Sequence, residues 1–150
     1  MVAWTGGLRH RAAPETTAIA ELLDRCAADL AWGQTYGKED AADAFLDRYG
    51  WCELLGLRGH FVCDEVAMGL LLLGPATHYP LHRHAAEEVY IVISGTAAWA
   101  RGEAAEALRP PGSVIHHPPW MSHGMRTAEE PLLALYLWSG GDLTQKSEMA

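Results

Sequence analysis

The apolar positions divide the chain into a first third with helical period and a remainder with the shorter period of strands. From Pro14 and Glu15, read as a first turn, Ile19, Leu22, Leu23, Cys26 and Leu30 recur at helical spacing, and Gly33 is placed to end that helix. A second, shorter helix is predicted from Lys38 or Glu39 to Arg48, where Ala41, Ala42, Phe45 and Leu46 alternate with acids, and Gly50 is placed to close it. Past Trp51 the pattern changes to short apolar or alternating runs, at Val66 to Leu73, Glu88 to Ile93, Ala97 to Arg101, Ser113 to His116 and Leu132 to Trp138. The breakers Gly74-Pro75, Ser94-Gly95, Pro110-Pro111-Gly112 and Pro118-Pro119 fall between those runs, where turns are needed. Regularly spaced short strands predict an antiparallel sandwich or barrel. The expected organisation is a single domain over 1–150, with a helical segment over 1–56 and a β-barrel over 57–140. The helices are expected to cover one end of the barrel.

Composition narrows the function classes. The 150 residues are 49% hydrophobic and 20% charged, which excludes a disordered chain. The 19 acidic and 11 basic residues leave a net charge of -8, and the basic residues are scattered from Arg9 to Lys146, so nucleic acid is excluded as a partner. The 3 cysteines, Cys26, Cys52 and Cys63, lack C-x-x-C spacing and read as buried thiols. Met1 to Arg11 holds no apolar signal region, and the longest oily run, around Met68 to Leu73, is too short to cross a bilayer. A soluble cytoplasmic protein with no membrane partner is expected.

The histidines carry the chemistry. Of the 8, His78, His82, His84, His116, His117 and His123 lie in one stretch. The central segment reads His78-Tyr79-Pro80-Leu81-His82-Arg83-His84-Ala85-Ala86-Glu87-Glu88-Val89-Tyr90. Positions two apart on a strand face the same way, so His82 and His84 project together, as do Glu88 and Tyr90. Two imidazoles and a carboxylate can then converge on a borderline divalent ion such as iron(II), zinc, manganese, cobalt or nickel, and suit calcium or magnesium poorly. Of His116 and His117, one must face inward, either to hold a ligand's tautomer or to pack. His10, His60 and His78 read as ordinary surface or hydrogen-bonded residues.

The spacing resembles the first motif of the cupin superfamily, H-x-H-x-x-x-E with a glycine after six more residues, whose places are filled by His82, His84, Glu88 and Gly95. The second cupin motif maps onto Pro110, Gly112, Pro118, Pro119 and His123, which makes His123 the fourth ligand by resemblance. Thr127 stands where many cupins have Asn. The resemblance implies a mainly β fold, the double-stranded β-helix or jelly-roll barrel, here with N-terminal α-helices.

Tyr79, Tyr90 and the terminal run Pro131 to Gly140 make the chain similar, more narrowly, to the cupin-type dimethylsulfoniopropionate lyases. That similarity runs from the Tyr49 to Gly56 stretch through His78-Tyr79-Pro80 to Tyr136-Leu137-Trp138. It implies β-elimination of dimethylsulfoniopropionate, a small-molecule substrate, to dimethyl sulfide and acrylate, with one divalent transition metal per chain. Tyr90 is then the catalytic tyrosine, with Tyr79, Tyr136 and Trp138 lining the substrate pocket, and a homodimer is allowed. On pattern alone Trp138 is a core residue and Tyr79 and Tyr136 are ambiguous. Trp4, Trp32, Trp51, Trp99 and Trp120 read as packing or interface residues. Because one fold serves many reactions, a cupin dioxygenase and a non-catalytic ligand-binding cupin stand as alternatives.

Overall fold

The computed structural model describes residues 4–149; the outermost residues of the expected 1–150 domain, Met1 to Ala3 and Ala150, lie outside it. Its organising element is β2 (Val66–Leu73), an almost continuous apolar run of the kind that strands buried on both faces require. β2 pairs antiparallel with β1 (Tyr49–Leu55) on one side and β9 (Leu132–Ser139) on the other. β4 (Glu87–Ser94) adds to β9 and β7 (Val114–His117) adds to β4, giving a five-stranded sheet in the order β1-β2-β9-β4-β7. The facing sheet comprises β10 (Glu148–Met149), β3 (His78–Arg83), β8 (His123–Thr127), β5 (Ala97–Arg101) and β6 (Ala104–Arg109), in that order. Among the described residues all pairings between these strands are antiparallel, and the two sheets enclose the expected mainly β barrel.

β2 and β5 coincide with the predicted runs, and β4, β7 and β9 match theirs to within one residue at each end. Leu71 and Leu73 of β2 point between the sheets, against a core that includes Val92, Trp99, Leu132 and Ala134. Leu70 and Leu72 point the other way, onto Leu8, Ala20 and Leu23 of the N-terminal segment. The N-terminal helix therefore covers the outer face of the first sheet, not an end of the barrel. Leu70, Leu72, Ile93 and Leu133 make that face apolar, and each such side chain taken from water contributes about 1.5–3 kcal/mol.

Both helices are shorter than the pattern predicts. α1 (Thr17–Cys26) does not begin at Pro14, because the Thr16 hydroxyl accepts from the Ala13 amide at 3.1 Å and donates to the Ile93 carbonyl at 2.8 Å, tying that turn to the sheet. Beyond Cys26 the chain tightens into one 3-10 turn, and the Trp32 indole N–H caps the Ala27 carbonyl at 2.8 Å, well before Gly33. The buried stripe is Ala20, Leu23 and Ala27, while Ile19 and Leu22 stay largely exposed. The second helix is confined to α2 (Asp43–Leu46), since the Asp40 carboxylate accepts from the Gly37 amide and winds 37–41 into a turn. Gly50, expected to close that helix, instead lies inside β1 opposite Leu72, so strand structure begins before residue 57.

Two residues of the cupin pattern have structural work. Gly95 ends β4 at φ +80, and a Cβ there would collide with the Pro131 carbonyl. Thr127, in place of Asn, donates to the Gly74 carbonyl at 2.7 Å and accepts from the Thr77 amide at 2.9 Å, fastening the β2–β3 turn. Among the described residues no helix is long and apolar enough to cross a membrane.

Candidate metal centre and its cavity

Strand register assembles the site. Across the first sheet Ala67, Trp138, Glu88 and His117 stand in one row, and Gly69, Tyr136, Tyr90 and Ile115 in another. On the facing sheet His82 is directly opposite His123, and Tyr79 opposite Met125. The inward face of one sheet thus carries the carboxylate and the face of the other carries two imidazoles. His84 follows the last residue of β3, so strand pleat alone does not aim it. Its ring is oriented by a 2.9 Å contact from Nδ1 to the Ala86 carbonyl.

The same device orients all three imidazoles. Nδ1 of His82 lies 2.9 Å from the Pro80 carbonyl, and Nδ1 of His123 lies 2.8 Å from the Met121 carbonyl. A carbonyl only accepts, so each Nδ1 carries the proton and each Nε2 presents a lone pair. Those lone pairs meet further acceptors: Glu88 Oε2 is 3.0 Å from His123 Nε2 and 3.3 Å from His84 Nε2. His82, His84, Glu88 and His123 are each no more than 2% exposed, and His123 Nε2 has no hydrogen-bond partner. Buried acceptors facing one another are unfavourable unless a cation lies between them. The ligand atoms of His82, His84 and His123, and those of Glu88, His117 and His123, form two groups, each within 4.8 Å. Three imidazoles and one carboxylate fit a borderline transition-metal ion. Burial pushes the His82 pKa down to about 3, with His123 nearby adding to the effect, so its ring is neutral and ready to coordinate.

His117 is the inward member of its pair. It is fully buried, lies parallel to His123 at 4.0 Å between ring centroids, and brings Nδ1 to 3.6 Å from Glu88 Oε2. Burial lowers its pKa to about 4, and neither ring nitrogen finds a hydrogen-bond partner. His116 points outward and pairs with Glu87 at 2.7 Å.

A cavity of about 280 Å³ opens beside the centre. His82 and Glu88 reach its wall, and so do Tyr79, Tyr90, Tyr136 and Trp138. The Tyr79 ring stacks on His82 at 4.1 Å, and its hydroxyl meets that of Tyr36 at 3.3 Å. Tyr90 stands two residues from Glu88 on the same face, where burial first and then the Glu88 charge raise its pKa well above the ordinary phenol value. Trp138 does more than line the cavity. Its indole N–H donates to Glu88 Oε1 at 2.6 Å, and its ring lies over His84 at 4.1 Å, so it sets the carboxylate whose other oxygen faces the imidazoles.

The sequence pattern missed the part of the wall furnished by β1, at the edge of the same sheet as Glu88 and Trp138. Trp51 and Glu53 of β1 line it together with Arg58 from the β1–β2 loop. The mouth is bordered by Gln34 and by Lys146, whose ammonium bonds both carboxylate oxygens of Asp40 at 2.8 Å. The alternation of Tyr49, Trp51 and Glu53 on one face of β1 was the available signal.

Comparison with known proteins agrees with this geometry. The family model described as dimethylsulfoniopropionate lyase matches residues 6–134. The chain is 36% identical over 126 residues to DddL of Cereibacter sphaeroides, a protein named for dimethylsulfoniopropionate lyase activity, covering 83% of this chain and 52% of the relative. It is 33% identical over 128 residues to the dimethylsulfoniopropionate lyase DddQ of Ruegeria pomeroyi, covering 83% of this chain and 64% of that one. The chain thus spans less than two thirds of either relative's length. A crystal structure from work on the dimethylsulfoniopropionate lyases RdDddP and RnDddQII superposes with a TM-score of 0.89 at 30% identity, covering 99% of this chain and 74% of the other. A cupin-2 domain from Rhodospirillum rubrum shares the fold alone, at 18% identity and a TM-score of 0.63 over 81% of this chain and 76% of the other.

Proposed function

The chain belongs to the dimethylsulfoniopropionate lyase family, and from that membership we propose that it cleaves dimethylsulfoniopropionate to dimethyl sulfide and acrylate. The observation that carries the reading is the convergence, beside one cavity, of a buried imidazole and carboxylate set with the Tyr90 phenol. One divalent transition-metal ion, from among iron(II), zinc, manganese, cobalt and nickel, would be held by His82, His84, Glu88 and His123. When bound there, it supplies positive charge that draws electron density from a substrate carboxylate and favours the phenolate form of Tyr90.

The chain's own groups do the rest. Tyr90 removes the proton from the carbon next to the substrate carboxylate; the released pair forms the carbon–carbon double bond as the carbon–sulfur bond breaks. Dimethyl sulfide leaves with the electrons of that bond, and acrylate remains. Trp138 keeps Glu88 in place through its 2.6 Å hydrogen bond, while Tyr79, Tyr136 and Trp138 present aromatic surface to the sulfonium, a contact contributing about 0.5–2 kcal/mol. The test is headspace dimethyl sulfide measured after loading the protein with each metal in turn, with oxygen uptake followed in parallel. Dimethyl sulfide and acrylate in equal amounts without oxygen uptake are expected; no release with any metal would remove the proposal.

A further inference from the structure

We infer that Glu53 is the group by which this cavity selects a substrate with a cationic end, opposite the metal set. This rests on the lyase reading for the substrate's other, carboxylate end. Glu53 is a carboxylate with its side chain 2% exposed, on the cavity wall and on the same face of β1 as Tyr49 and Trp51. Burial of an acid requires partners, and Glu53 has two: Oε1 accepts from the Arg58 amide at 2.7 Å, and Oε2 accepts from the Arg58 guanidinium at 3.3 Å. A carboxylate offers about four lone-pair sites, so acceptor capacity remains.

The Glu53 carboxylate folds over Gly56, which has no side chain to displace it, and the neighbouring row of the sheet brings Tyr136 toward it. In the ladder Glu53 stands opposite Gly69, and Gly69 opposite Tyr136. A Cβ on Gly69 would lie 2.6 Å from the Tyr136 hydroxyl oxygen, so the phenol lies directly over the glycine that Glu53 faces across the ladder. The Tyr136 pKa is raised by burial first and then by the Glu53 charge, with the Arg58 charge opposing, so the Glu53–Arg58 pair is felt at the cavity wall and the carboxylate outweighs its partner there.

The protein already holds one cation at this wall. The Arg58 guanidinium sits over the Trp51 ring at 5.0 Å and against Glu53, and also donates to the Leu143 carbonyl at 3.3 Å. Arg58 approaches from the loop and is 44% exposed, whereas Glu53 is enclosed. An aromatic ring beside a carboxylate is the environment a sulfonium or quaternary ammonium group requires. A cavity lined both by members of the metal set and, two strands away from β4 across β2 and β9, by this pair matches a short zwitterion better than a dicarboxylate or a neutral acid.

The alternative role for Glu53 is to clamp the loop through Arg58, and sign separates the two. Glu53→Gln keeps an oxygen for the Arg58 amide and removes the charge. It should weaken trimethylsulfonium binding, measured by ligand-observed NMR, and raise KM for dimethylsulfoniopropionate, each by about tenfold, with kcat nearly unchanged. Arg58→Gln frees the Glu53 charge and should tighten trimethylsulfonium severalfold. Acrylate, which lacks the cation, should bind both variants as it binds the unaltered protein. Shifts of the same sign in both variants, no shift in Glu53→Gln, or an equal loss of acrylate binding would overturn the assignment. Absence of dimethyl sulfide release with the trimethylsulfonium pattern intact would overturn the lyase reading and leave Glu53 as a cation-recognising group.

Discussion

The two ends of the cavity are built by different means. At the metal end, strand register and three imidazole contacts to backbone carbonyls fix the groups, and every ligand is buried. At the far end, Glu53 on β1 meets Arg58 from a loop, and Lys146 from near the C-terminus bonds Asp40, 106 residues earlier. The first end has its geometry set before a ligand arrives. The second sets one enclosed carboxylate, Glu53, among long, partly exposed side chains, Arg58 and Lys146, that can rearrange, which suits a region that must admit and release substrate. The proposed chemistry uses the first end and the proposed selection uses the second.

The largest expected effects break the metal end in two separable ways. His123→Ala removes the imidazole that contacts Glu88 at 3.0 Å, so both metal content, read by elemental analysis, and dimethyl sulfide release should be lost. Tyr90→Phe should keep the metal and still lose about 10²–10⁴ in kcat, the usual range for a positioned acid or base. Full activity in Tyr90→Phe would take the base role from it, and metal loss in that variant would make it a ligand.

Trp138→Phe sharpens the comparison at intermediate size. Phenylalanine keeps an aromatic ring near His84 but loses the N–H that holds Glu88 Oε1. Outer groups of this kind contribute about 10–100-fold to metal affinity or activity when removed. If Trp138 served only as a wall for the sulfonium, KM would rise while metal affinity stayed constant, and a chelator titration distinguishes the two results.

The same contrast explains what the sequence made legible. The candidate ligands lie on or beside strands: His82, His84 and Glu88 were legible from one-sided spacing and His123 through the resemblance of its motif, although His84 falls just past β3 and takes its orientation from the Ala86 carbonyl. His117 was half legible: the pleat that buries Ile115 also buries His117, but the parallel stack on His123 depends on β7 and β8 meeting across the barrel. β1 was missed because its inward residues, Tyr49, Trp51 and Glu53, line a cavity, and so lack apolar alternation. β6 was missed because it is an edge strand, largely exposed, with no buried face. The far wall was illegible since Arg58 and Lys146 come from irregular segments, and long-range ion pairs leave no periodic trace.

The smallest expected effect lies at the mouth, in the Lys146–Asp40 pair. Asp40 has its pKa lowered by the Lys146 hydrogen bond and then by the Gly37 amide, while Lys146 has its own raised by the same partner. A carboxylate with a depressed folded-state pKa favours the bridged state above its ordinary value of about 3.9 and loses that contribution as pH falls through its own lower value. The bridge should therefore hold from neutrality to below pH of about 4. Amide hydrogen exchange over 142–149 should then be slow in that window and faster in Lys146→Met, with little change in melting temperature because the pair is solvent-exposed. Raised salt should reproduce part of the variant's effect, as screening weakens exposed pairs first. Exchange unchanged in Lys146→Met would mean that the segment is held by the 3.0 Å bond from the Ala85 amide to Gln145 and by the β10–β3 pairing, and that the mouth is as preset as the metal end.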